Sequence, residues 1–140
     1  MKRIILLFSF FLLVFDSYTQ SFKDLGTLTF ENAKKSNTSN PCSETRNEVL
    51  KYCVQDGSFI FYTFKNNVLN GIIFLTPYLT KKQAEIALQN DVLSFANKVG
   101  KQPIYSAGKA LFPMSSELGV TFELVEFDGT YYVNFSNLLL

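Results

Sequence analysis

The residues with the clearest capacity for chemistry are four carboxylates near the C-terminus: Glu117, Glu123, Glu126 and Asp128. Paired carboxylates held about 5–10 Å apart can hydrolyse glycosides, one acting as the acid and the other as the nucleophile or base. Side chains alternate between the two faces of a strand, so Glu123 and Glu126 share a face only if a bulge intervenes. A carboxylate-dependent hydrolase that uses Glu123 and Glu126 is therefore an alternative function, not the preferred one.

Composition excludes most other catalytic centres. None of the 140 residues is histidine, which removes the Ser-His-Asp and Cys-His arrangements and the commonest ligand of zinc, copper and non-haem iron. Two cysteines cannot form a four-cysteine zinc site or an iron–sulfur cluster. No segment has the spacing of a phosphate-binding glycine loop or a calcium loop. The sequence predicts no catalytic residue, no cofactor and no metal.

The N-terminus has the three-part layout of a secretory signal peptide. Lys2 and Arg3 precede an apolar run, residues 4–15, and a short polar stretch with small residues at Ser17 and Thr19. A membrane-spanning helix needs roughly 20 apolar residues, more than this run provides. We expect residues 1–19 to be a cleaved leader and the protein to be exported, periplasmic or secreted, with no stable membrane anchor after cleavage.

Cleavage also changes the charge balance. The whole chain has 13 Lys+Arg and 12 Asp+Glu, and the leader holds Lys2, Arg3 and Asp16, so 11 charges of each sign remain. A formally neutral protein lacks the basic face that nucleic acid requires. We therefore expect no nucleic-acid partner, and instead a protein or another extracytoplasmic ligand.

The two cysteines, Cys42 and Cys53, predict a disulfide because export places them in an oxidising compartment. A straight helix over this segment would separate them by roughly 16 Å, since each residue adds about 1.5 Å. Bridged cysteines need Cα atoms within about 7 Å. Either the helix is limited to residues 44–48, or residues 48–54 form a strand with residues 42–47 folded back over it. We favour the strand, because Asp56-Gly57 then makes a hairpin turn.

Most of the remaining sequence is typical of strands. Residues 58–64 and 68–75 are rich in aromatic and β-branched side chains and are joined by an Asn-Asn turn, which predicts a hairpin. Gly71 interrupts the second strand and indicates a bulge or a close backbone approach. A second hairpin follows over residues 120–127 and 130–136, and a short edge strand is expected between residues 104 and 112.

One segment is typical of a helix instead. Thr80 and Gln83 have capping-box spacing, and Gly100 provides a stop. The predicted fold class is therefore α+β: an antiparallel sheet of about five strands with one main helix, residues 80–99, packed on one face. We expect a single domain over residues 42–140, preceded by a flexible segment at residues 20–41.

Aromatic surface is the remaining functional resource, because tyrosine is enriched where proteins meet partners. The alternative is that these rings fill a core without tryptophan. The preferred function is a small, exported, non-catalytic binding or inhibitor-like domain. Besides the hydrolase, a carrier of an apolar ligand stays open, which needs a cavity of several hundred Å³ between helix and sheet. The candidate binding residues are Tyr62, Tyr78, Tyr105, Tyr131 and Tyr132.

Overall fold

A computed structural model describes residues 24–36, 42, 44–46, 48–54 and 56–139, so the predicted leader lies outside the described residues. The described part forms one antiparallel sheet with two helices. In chain order the elements are α1 (Phe30–Ser36), β1 (Glu44–Arg46), β2 (Val49–Cys53), β3 (Phe59–Lys65), β4 (Val68–Tyr78), α2 (Lys81–Val99), β5 (Ile104–Ser106), β6 (Lys109–Pro113), β7 (Leu118–Phe127) and β8 (Thr130–Leu139).

The sheet consists of two four-stranded meanders that meet in the middle. Its strand order is β1-β2-β3-β4-β8-β7-β6-β5, and every neighbouring pair is antiparallel. Helix α2 takes the chain from β4 at the centre to β5 at the far edge. The predicted α+β class with one main helix on the sheet is confirmed. The strand number is larger than predicted, because the sheet has eight strands instead of about five.

The additional strands come from two tight reversals. Ala107 and Gly108 both have positive φ angles, 49° and 78°, and they turn the predicted single edge strand into the β5–β6 hairpin. Near the disulfide, β1 folds back on β2 with Glu44 opposite Lys51. Residues 49–53 are a strand, as expected, because a helix there would hold the two cysteines too far apart.

Helix α2 begins and ends where the local signals predict. Thr80 is the N-cap, and its Oγ1 accepts a hydrogen bond from the backbone N–H of Gln83 at 3.2 Å. Gly100 closes the helix in the left-handed conformation, with its N–H donating to the Ala96 carbonyl at 2.9 Å. The side chains that α2 buries are Ala84, Val92, Phe95 and Ala96.

The sequence indicates a bulge or a close backbone approach at Gly71, and the structure has both. The β3–β4 register shifts between Thr63 and Phe64, so a bulge interrupts the ladder beside Gly71. A Cβ atom at Gly71 would lie 2.6 Å from Oγ1 of Thr63 and 2.7 Å from Cδ2 of Leu138. Strand β4 therefore passes its neighbours at a distance that only glycine permits.

Both helices lie on the same face of the sheet, which we call the covered face. Side chains alternate along each strand, so paired residues share a face. One cross-strand row on the covered face runs through β2, β3, β4, β8, β7 and β6, and apart from the half-buried Tyr62 its members are completely buried. This row consists of Leu50, Tyr62, Ile72, Asn137, Val120 and Phe112.

The core on the covered face has two parts. Under α2, the rings of Phe95, Phe112, Phe122 and Phe135 pack edge to face or tilted, with centroids 4.9–6.2 Å apart. Under α1, the second cluster includes Leu50, Phe64 and Ile72. Phe74 of β4 contacts both clusters and joins them into one layer.

Residues 24–36 pack on the covered face of the sheet. Leu25 and Ala33 are buried in the second cluster, and Thr29 forms a β-bridge with Val68. The N–H of Gly26 donates to the Leu69 carbonyl at 2.8 Å. The few apolar residues of this segment suffice to hold it on the sheet, because the covered face beside α2 offers them an apolar surface.

Neither helix in the described part of the chain combines the length and apolarity that crossing a bilayer requires.

Candidate functional site

The side of the sheet opposite the helices, which we call the open face, has no described element packed on it. Along each strand, its side chains alternate with those that point to the covered face. Across β3, β4, β8 and β7 they form a contiguous apolar area, and each member is only partly buried. We call this area the open-face patch, and its members are Phe59, Phe61, Ile73, Leu75, Pro77, Val125 and Tyr132.

The rings of the open-face patch contact one another. The Phe59 centroid lies 6.4 Å from that of Phe61 and 6.3 Å from that of Tyr132. The Lys51 ammonium lies 4.6 Å from the Phe59 centroid, a distance suited to a cation–π interaction. The patch thus has an aromatic centre with a cation at the β2 side.

The other half of the open face is polar and internally bonded. The Lys109 ammonium lies 3.0 Å from Oε2 of Glu123, and Nδ2 of Asn134 donates to Oε1 of Glu123 at 2.8 Å. Oγ of Ser136 donates to Oδ1 of Asn134 at 2.8 Å. We call these four residues the polar network. Because its groups satisfy one another, it borders the patch without an unpaired charge.

The carboxylates considered for hydrolysis are not brought together. Strand β7 pairs regularly with β8 from Leu118 to Phe127, so Glu123 lies on the open face and Glu126 on the covered side. Glu123 already bonds Lys109 and Asn134, and Asp128 holds a hairpin turn with φ of 50°. Glu123 and Glu126 therefore do not share a cleft. Among the described residues no group of three or more Asp, Glu, Cys or His side chains could hold a metal ion.

The five candidate tyrosines are divided between the two faces. Tyr62, Tyr78 and Tyr131 lie on the covered face, where Tyr78 is paired with Tyr131 across β4 and β8. Tyr132 lies on the open face within the open-face patch. Tyr105 lies on the edge strand β5 and is 73% exposed. The structure therefore brings only Tyr132 into the apolar area of the open face.

Burial raises the pKa of three tyrosines on the covered side of the sheet, Tyr52, Tyr62 and Tyr78. Desolvation raises the pKa of Tyr62 and that of Tyr78, and the nearby Asp24 and Asp91 carboxylates respectively raise them further. Burial, with Tyr62 beside it, raises the pKa of Tyr52 to about 12. These phenols are neutral near pH 7, and that of Tyr52 donates to the Ala33 carbonyl at 3.4 Å.

Among the carboxylates of the described residues, Asp91 has the most altered pKa. It lies on α2 at the margin of its buried stripe, and desolvation by the surrounding protein raises its pKa from 3.8 to about 6. Its ionised form is therefore less favourable in the folded protein than in water.

The cysteines form the predicted bridge. Cys42 is bonded to Cys53, eleven positions later in the sequence, with Cα atoms 5.5 Å apart. The bridge ties the segment before β1 to the end of β2. A disulfide is typical of proteins in oxidising compartments outside the cytoplasm.

An open cleft of about 470 Å³ lies where β4 meets the start of α2. Tyr78, Leu79 and Ile86 form much of its wall, and Leu79 is 91% exposed. Its wall comes from both β4 and α2 and it opens to the surface, so it is not the enclosed cavity that a carrier of apolar ligands needs.

Sequence reasoning missed the phenylalanine and aliphatic members of the open-face patch, because it considered tyrosines alone. The available signal was that β3 is apolar on both faces while the chain offers one long helix. One helix on one face leaves the second apolar face without a cover.

Comparison with protein-family models, with curated proteins and with solved structures finds no match.

Proposed function

We propose that this protein is a small, exported, non-catalytic binding domain that binds its partner through the open-face patch. The observation that carries the proposal is the contiguous apolar area formed by Phe59, Phe61, Ile73 and Leu75 with their neighbours. Exposed apolar areas of several hundred Å² on a protein surface typically mark sites of protein interaction.

The aromatic content of the patch supports binding over a purely structural role. Aromatic side chains are enriched in the centres of protein interfaces, because they bury a large area at low cost in conformational entropy. Phe59, Phe61 and Tyr132 meet at the centre of this area. The polar network beside them, with Glu123 bonded to Lys109, resembles the polar rim that usually surrounds such a centre.

The leader and the disulfide support export. Residues 1–19 have the layout of a signal peptide, and Cys42–Cys53 is a bridge that an oxidising compartment maintains. Binding is favoured over hydrolysis, because Glu123 and Glu126 lie on opposite sides of the sheet.

The test is site-specific photo-crosslinking in the exporting cell. A benzoyl-phenylalanine replaces Phe61 in the open-face patch, and in a matched control it replaces Gln89, which is exposed on α2. The proposal predicts a discrete cross-linked product from position 61 and none of comparable yield from position 89. Equal yields at both positions, or no product at position 61, would contradict it.

A further inference from the structure

We propose that the partner on the open face is a second copy of this chain, packed sheet against sheet. The inference rests on the proposed function, because it names the occupant of the same surface. The width of the patch, the area of the open face and the arrangement of its charges support this partner.

The width of the patch favours a sheet as the occupant. The patch crosses four adjacent strands, from β3 through β4 and β8 to β7. With neighbouring strands about 4.8 Å apart, its side chains extend over roughly 15–20 Å. A single helix is about 10 Å wide and would leave part of the patch in water. A second sheet, packed about 10 Å away, covers all four strands at once.

The area of the open face is sufficient for a stable dimer. Eight strands of three to eleven residues make up the sheet. At about 3.3 Å per residue and about 4.8 Å between strands, one face covers on the order of 800 Å². Specific complexes bury about 800 Å² on each partner. The open face alone therefore provides the surface that such an interface requires.

The charges of the open face permit self-association. A two-fold axis that lies over the patch and parallel to the sheet brings the patch of one molecule against the patch of the second molecule. The charged groups beside it, Lys109 and Glu123, already form an ion pair at 3.0 Å. Lys51 extends from β2, beside the four strands of the patch, and its ammonium contacts the Phe59 ring in a cation–π interaction. Two copies can therefore meet with each of these charges next to a compensating group, which avoids the costly burial of an isolated charge.

The test is sedimentation velocity of the exported, oxidised protein between about 1 and 100 µM, a range that spans typical homodimer affinities. The expected result is a species of twice the chain mass that dissociates on dilution. Phe61→Glu and Ile73→Glu, which place charge in the patch, are each expected to raise the dissociation constant at least 30-fold, roughly the effect of losing an interface hot spot.

The matched control is Leu93→Glu, which places the same charge on the outer side of α2 at a residue 61% exposed. It is expected to leave the dissociation constant unchanged. Cooperative thermal unfolding verifies that each variant is folded, and Leu75→Gln replaces any glutamate variant that does not fold.

Two results overturn the dimer: a monomer over the whole concentration range, or a Leu93→Glu effect equal to that of Phe61→Glu. A monomer that still cross-links through position 61 to another protein refutes the dimer and leaves the proposed function standing. A monomer without any cross-link at position 61 refutes both.

Discussion

The two faces of the sheet are built from similar residues and have different environments. On the covered face, Ile72, Val120 and Phe112 are completely buried in the core between the sheet and the helices. One position along the same strands, Ile73, Thr121 and Leu111 stand on the open face and are only partly buried. Strand alternation thus distributes apolar residues to both faces, and the position of the helices decides which of them become core.

The faces also differ in the kinds of contact that their side chains make. On the covered face the phenylalanine rings pack on one another around Phe95 and Phe122. On the open face Glu123 and Asn134 bond within the polar network and stay at the surface. A face that combines partly exposed rings with satisfied polar groups has the apolar centre and polar rim that are typical of interfaces.

The largest difference between the faces is expected from removing one ring on each. Phe112→Ala should lower the free energy of unfolding by about 3–5 kcal/mol, because it leaves a cavity among packed rings. Phe61→Ala should cost less, about 1–2 kcal/mol in the monomer, because part of the open-face ring is already in contact with water. Urea unfolding at sub-micromolar concentration measures both, and equal losses would show that the open face is core.

A smaller effect is expected at Gly71, a tightly packed position of the open face. Gly71→Ala should destabilise the protein by about 2 kcal/mol, because the added methyl group meets Thr63 and Leu138. The double variant Thr63→Ala/Gly71→Ala should recover part of that loss, which a double-mutant cycle from urea unfolding measures. An additive cycle would indicate that the Thr63 contact is not the cause.

The smallest effect is expected on the covered face, at Asp91. The folded-state pKa is raised to about 6 from 3.8, so the folded protein binds the proton more tightly than the unfolded chain. Stability attributable to this group is therefore present at low pH and falls as the pH rises from about 4 through about 6. Asp91→Asn should raise the free energy of unfolding by about 1 kcal/mol at pH 7.5, a value reduced for the partial exposure of the carboxylate.

The same substitution should give no gain below pH 4, where Asp91 is protonated in both states. Unfolding of the wild type and of Asp91→Asn at several pH values measures the difference. Glu117→Gln, at an exposed loop position, is the control and should show no such trend. A gain that is equal at all pH values would refute the role of ionisation.

Features encoded by neighbouring residues could be predicted from the sequence. The Thr80 cap and the Gly100 stop define α2 within one turn of chain on each side, and Asp128-Gly129 defines the last hairpin. The strand at residues 49–53 followed from the reach of a disulfide together with the Asp56-Gly57 turn signal.

Features that depend on distant pairing could not be predicted. The central contact of the sheet joins β4 to β8, with Phe74 opposite Phe135, and no local pattern specifies that partner. The β5–β6 reversal uses Ala107 at positive φ, which a sequence without Asn or Asp at that position does not signal. The division of the tyrosines between the two faces also depends on distant parts of the chain. The strand register decides which tyrosines share a face, and the position of α2 decides which face is covered.

The most direct test of the account is hydroxyl-radical footprinting of the protein in its native environment and after purification and dilution. If the open face binds a partner, oxidation of Phe59, Phe61 and Tyr132 is several-fold slower in the native environment than in the diluted protein. Oxidation of Tyr105 and Leu93, which lie outside the open-face patch, is the same in both. Equal oxidation of the three open-face rings under both conditions would contradict the claim that this face is a binding surface.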